Sequence, residues 1–145
     1  MDATARRSTQ LEGSAAPRCG DDTKRIIVAE DDAEMRDLIA AALRKDGHEV
    51  TAVADGAKLL LEVVARPPER GLDLIVSDLR MPVSSGLQIL KGLREAGWKT
   101  PFVLLTAFGD DQTRTLTESL DAVLLDKPFE LDALRATVKR LFLTA

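Results

Sequence analysis

The chain has 145 residues, 45% of them hydrophobic and 30% charged, a balance that supports one compact domain with a buried core and a soluble surface. Its formal net charge of −4 argues against a nucleic-acid or anionic-membrane surface, which needs clustered Lys and Arg. Cys19 and His48 are the only cysteine and histidine, which excludes an intrachain disulfide, a Cys-based zinc site and Ser-His-Asp, Cys-His or multi-His chemistry, and leaves the reactive work to carboxylates, hydroxyls and ammonium groups.

Residues 1–23, rich in small and polar side chains, read as a disordered N-terminal extension. Arg6 and Arg7 are followed by no apolar stretch, so no secretory signal is read there. No apolar run approaches the roughly 18–20 residues that span a bilayer. The expectation is a cytoplasmic protein with no membrane partner.

From Arg25 the pattern changes. Arg25 to Ala29 is a short apolar run of the kind found in strands buried on both faces. A helix follows, capped by Asp32, ended by Gly47 and carrying Met35, Leu38, Ile39, Ala42 and Leu43 on its inner face. Glu49 to Val53 reads as a strand. Lys58 to Arg66 reads as a helix with Leu60, Leu61 and Val64 inward, stopped by Pro67-Pro68. Leu72 to Ser77 is a third strand, and Met81 to Ser85 a loop. Gly86 to Gly97 is a helix with Leu87, Leu90 and Leu93 inward, and Phe102 to Leu105 a fourth strand. Asp110 to Leu120 is a weaker helix, because Thr113, Thr115 and Thr117 are poor helix formers. Val123 to Leu125 is a fifth strand. Glu130 to Leu143 is a last helix with Leu131, Leu134, Val138 and Leu141 inward.

Five strands alternating with five helices predict an α/β fold: a doubly wound five-stranded parallel sheet in the flavodoxin-like order 2-1-3-4-5. Such sheets place their site beyond the C-terminal strand ends, at the switch point between strands 1 and 3. The residues expected at that edge are Glu30, Asp31 and Asp32 after strand 1, Asp78 after strand 3, Thr106 after strand 4 and Lys127 after strand 5. Converging carboxylates call for a cation, and a few hard oxygen ligands open to water suit Mg²⁺. Asp78 is then placed to attack phosphorus, with the Thr106 hydroxyl and the Lys127 ammonium serving the phosphoryl oxygens. Asp32 reads as a helix cap rather than a ligand.

The stretches Ile27-Val-Ala-Glu-Asp-Asp32, Leu74-Ile-Val-Ser-Asp-Leu-Arg-Met-Pro82, Val103-Leu-Leu-Thr-Ala107 and Leu125-Asp-Lys-Pro-Phe129 resemble the receiver domain of two-component response regulators. The resemblance covers about residues 25–143 and makes 24–145 the receiver domain. It implies that Asp78 is the phosphoacceptor, with Glu30 and Asp31 the acidic pair, Thr106 the switch hydroxyl and Lys127 the active-site lysine. It also implies that the Arg80 backbone carbonyl completes the metal shell and that the Lys127–Pro128 bond is cis. The implied partners are a histidine kinase or phosphotransfer protein and a downstream protein target, with no nucleic acid.

The pattern departs from the family three residues before the lysine, where Leu124 replaces the usual aromatic, which implies a muted switch. Arg80 and Phe108 flank the path of an attacking water and imply a slowly hydrolysed acyl phosphate. The expected function is a single-domain response regulator, a signalling domain rather than an enzyme. The competing readings are a receiver excised from a longer regulator or hybrid kinase and a pseudo-receiver that binds partners without phosphate. A haloacid-dehalogenase-like phosphohydrolase is disfavoured, because Arg80 stands where its second Asp is needed.

Overall fold

The computed structural model describes residues 23–66, 71–81, 84–107 and 109–144. The N-terminal extension as far as residue 22, Pro67-Pro68, Pro82 and Phe108 lie outside them. Five strands, β1 (Arg25–Ala29), β2 (Glu49–Val53), β3 (Leu74–Asp78), β4 (Phe102–Thr106) and β5 (Val123–Asp126), alternate with five helices. These are α1 (Ala33–Lys45), α2 (Gly56–Val64), α3 (Gly86–Glu95), α4 (Asp111–Ser119) and α5 (Leu131–Thr144). The strands form one parallel sheet in the order β2-β1-β3-β4-β5, the flavodoxin-like winding read from the sequence.

Strand alternation divides the core in two. Ile26, Val28, Leu74, Val76, Val103 and Leu105 face one way and bury Ile39 and Leu43 of α1 and Leu134 and Val138 of α5. Ile27, Ala29, Ile75, Phe102 and Leu104 face the other way, against Leu59 and Val63 of α2 and Ile89, Leu90 and Leu93 of α3. Both faces of β3 and β4 are covered, so every residue of these two strands is buried.

Local chemistry sets the helix starts. Asp32 caps α1 by accepting from the amides of Glu34 (3.0 Å) and Met35 (3.4 Å). Ser85 and Gln88 form a reciprocal capping box at α3, a Ser-x-x-Gln spacing visible in the sequence and missed in reading it. The Lys127–Pro128 bond is cis.

Two inner faces differ from expectation. On α2, Leu59 and Val63 are buried, whereas Leu60, Leu61 and Val64 are 46%, 66% and 67% exposed. The helix starts two residues earlier than read, under an Asp55 cap. Its first residue, Gly56, packs so closely that a Cβ there would come within 2.3 Å of the Ser84 carbonyl oxygen. In a segment as apolar as Leu59-Leu-Leu-Glu-Val-Val64, periodicity alone does not select the buried pair. On α1, Leu38 turns outward while Ile39, Ala40 and Leu43 are buried.

Candidate functional site

The C-terminal edge of the sheet gathers the residues singled out in the sequence. Parallel pairing of Ala29 with Ser77 sets the ends of β1 and β3 side by side, so Glu30 and Asp78 emerge together. Pairing of Asp78 with Leu105 and of Thr106 with Asp126 carries the same edge across β4 and β5. Lys127 follows directly, its amide held by the Thr106 carbonyl at 2.7 Å.

Glu30, Asp78 and Thr106 are buried, Asp31 is exposed and Lys127 is half-buried. One carboxylate oxygen from each of Glu30, Asp31 and Asp78 lies within 4.8 Å of the other two. Lys127 Nζ stands 2.6 Å from Asp78 Oδ1 and 3.2 Å from Glu30 Oε1. The remaining Glu30 oxygen, Oε2, accepts from the Asp32 amide at 3.2 Å. A cleft of about 200 Å³ opens over Asp78, walled by Asp31, Arg80, Thr106, Ala107 and Lys127. Arg80 therefore lies at the site, with its side chain exposed. Larger hollows on α4 and beside α5 contain none of these residues.

The electrostatics concentrate on one group. Burial raises the Asp78 carboxyl to about 8; the neighbouring Glu30 carboxylate adds to the rise and Lys127 opposes it. Burial outranks the repulsion between the two acids. At Lys127, burial works against the charge, but the Asp78 and Glu30 carboxylates outweigh it and raise the ammonium above its ordinary value. Asp78 Oδ1 is buried, with the Lys127 ammonium as its partner. A buried carboxylate beside a second acid favours a proton or a further cation. Three hard carboxylate oxygens gathered at one point, one of them from an exposed residue, match the donor set of a Mg²⁺ ion that keeps several waters.

Supporting contacts that carry no signal in the sequence complete the edge. The Arg36 guanidinium donates to the Glu30 carbonyl oxygen at 2.9 Å, and the Ser77 hydroxyl donates to the Asp78 carbonyl oxygen at 2.9 Å. Gly86 lies so close to that second carbonyl that a Cβ there would come within 2.3 Å of it. On the far side, Arg114 of α4 holds both carboxylate oxygens of Asp126, at 2.9 and 2.8 Å.

Comparison with known proteins gives the family. The family model for the response regulator receiver domain matches residues 26–139. The response regulator protein PmrA of Pseudomonas aeruginosa is 41% identical over 120 residues, 81% of this chain and 52% of that protein. The sensor histidine kinase TmoS of Ectopseudomonas mendocina is 36% identical over 92% of this chain but only 14% of its own length. The chain thus spans about half, or much less, of the curated relatives it matches. Among solved structures, the receiver domain of a Francisella response regulator superposes with a TM-score of 0.75 at 28% identity, covering 82% of this chain and 96% of that one. The response regulator TrrA of Thermotoga maritima, solved in complex with Mg²⁺ and a beryllium fluoride, gives a TM-score of 0.69 at 28% identity, covering 81% and 98%. Fold, edge chemistry and sequence kinship converge, and the chain belongs to the response regulator receiver domain family.

Proposed function

We propose that the chain is a response-regulator receiver that accepts a phosphoryl group on Asp78 from a phosphohistidine of a histidine kinase or phosphotransfer protein. The observation that carries this reading is the buried Asp78 carboxyl beneath an open cleft, clustered with Glu30 and Asp31 and 2.6 Å from a lysine.

In the transfer the N–P bond of the donor breaks, an O–P bond to Asp78 forms, and the imidazole leaves. Lys127 sets a compact positive charge beside the attacking oxygen and then serves a phosphoryl oxygen. Thr106, on the next strand, offers its hydroxyl to another. Glu30, Asp31, Asp78 and the Arg80 carbonyl are the groups that would hold Mg²⁺. When bound, that ion supplies charge neutralisation, so that an anionic donor can approach an anionic acceptor. Asp78 must lose its proton to act, and its raised pKa makes that loss depend on how the site is filled.

The group is transferred rather than turned over, so the protein acts as a signalling domain. Output runs through contact with a downstream protein, and the setting is the cytoplasm. The same acceptor chemistry serves a receiver inside a longer regulator of the kind its relatives represent. Arg80, on the wall of the cleft, shields the acyl phosphate and makes it long-lived.

The test is a phosphotransfer profile with Mg²⁺ against a panel of autophosphorylated histidine kinases. Rapid loss of label from one kinase with gain on this chain, absent in Asp78→Asn, is the expected result. Transfer to Asp78→Asn at the wild-type rate would overturn the reading.

A further inference from the structure

The acidic pair differs internally in how it is held. Glu30 is buried and both its carboxylate oxygens are engaged, one by Lys127 and one by the Asp32 amide. Asp31 is exposed, yet its carboxylate must stay within reach of Asp78 to form the oxygen cluster. The geometry points to Arg36 as the positioning residue that holds it there, an inference that rests on the site being a cation-dependent phosphoacceptor.

The argument follows the backbone. The Arg36 guanidinium reaches back from the first turn of α1 and donates to the Glu30 carbonyl oxygen at 2.9 Å, in a half-buried setting. That carbonyl belongs to the planar peptide joining Glu30 to Asp31, so fixing its oxygen fixes the plane from which the Asp31 Cα departs. On the other side, Asp32 is fixed twice. Its carboxylate caps α1, and its carbonyl accepts from the Arg36 amide at 2.9 Å. Asp31 is therefore held through both neighbours, and Arg36 takes part on each side. Its backbone contact is ordinary helix geometry, but its side-chain contact is not. A guanidinium spent on a main-chain carbonyl six residues back adds nothing to helix formation.

Groups that orient metal ligands without touching the metal typically alter affinity by about 10- to 100-fold when removed. The probe is MgCl₂, titrated into the full chain and read from the backbone amide shifts of Asp31 and Asp78. Unfolding of the metal-free proteins is followed in parallel. Arg36→Met is expected to raise the half-saturating Mg²⁺ concentration about tenfold. Arg36→Lys, which keeps the charge and one donor, is expected to fall between it and wild type, and the metal-free melting temperatures of wild type and Arg36→Lys should agree. Saturation of Arg36→Met at the wild-type concentration would overturn the positioning role. So would loss of affinity in Arg36→Met strictly in proportion to a fall in metal-free stability, with Arg36→Lys indistinguishable from wild type. A wild-type protein whose Asp31 and Asp78 amides ignore Mg²⁺ is a separate outcome, and it overturns the cation site along with the clamp.

Discussion

The two halves of the active edge are built to different standards. On the β1–β3 side the strands are buried almost throughout, Glu30 has both oxygens engaged, and the carbonyls of Glu30 and Asp78 each accept from a side chain placed for it. On the β5–α4 side no residue of β5 is fully buried, and Thr117 is the only buried residue of α4. That helix is tied to β5 by the Arg114–Asp126 pair, whose side chains are 40% and 54% exposed. Contact density and burial set local stability, so the half that would bind is over-determined and the half that would report is lightly held. A signalling domain profits from this division, because a small change at a rigid site moves what is least anchored.

Lys127 joins the two halves, and removing it is the largest test. Lys127→Met leaves Glu30 and Asp78 buried without their cation, with an expected loss on the order of 3 kcal/mol at about pH 9 without metal, where Asp78 of the wild type is ionised. Urea unfolding checks this, and the loss should shrink below about pH 7, where Asp78 carries a proton in either protein.

Metal-free wild type should itself depend on pH. Asp78 has a folded pKa of about 8 against an ordinary 3.8, so the native state holds a proton that the unfolded chain releases. Its favourable contribution is complete below about pH 4 and is lost as pH rises to about 8. Lys127 is charged in both states across that window and adds no slope there. Saturating Mg²⁺, at about a hundred times its Kd, should restore about 2.7 kcal/mol by mass action. Thermal melts from pH 4.5 to 8.5, with and without MgCl₂, check both signs.

The smallest effects belong to α4. Arg114→Ala breaks an exposed ion pair and should leave global stability almost unchanged, while speeding amide exchange in α4 selectively. With Leu124 half-buried where an aromatic is usual, a phosphoryl mimic should alter α4 exchange only modestly, and Leu124→Tyr should enlarge the difference. An α4 untouched by the mimic, with changes confined to the loops at Asp78 and Thr106, would favour a partner that reads the active edge directly.

What the sequence revealed divides along the same line. Strand order and site composition were legible because buried parallel strands leave continuous apolar runs, and because reactive side chains fell just after them at Glu30, Asp78, Thr106 and Lys127. The inner face of α2 was not legible. Its run of Leu and Val offers more apolar residues than the face can bury, and the choice of Leu59 and Val63 is made by packing against the assembled sheet. Leu59→Ala should accordingly cost about 3 kcal/mol, and Leu61→Ala within about 0.5. The carbonyl clamps from Arg36 and Ser77 were equally hidden, since they join side chains to main chain and leave no spacing rule behind. The origin of the raised Asp78 pKa also escaped, because burial is a property of the assembled sheet.

The most direct measurement is the chemical identity of the phosphorylated residue. The chain is incubated with a small-molecule phosphodonor and Mg²⁺, the acyl phosphate is reduced with borohydride, and the converted residue is located by peptide mass spectrometry. Conversion at Asp78 alone, absent without Mg²⁺ and absent in Asp78→Asn, is the predicted result. Conversion at another carboxylate, or none at Asp78 while Mg²⁺ demonstrably binds, would contradict the account.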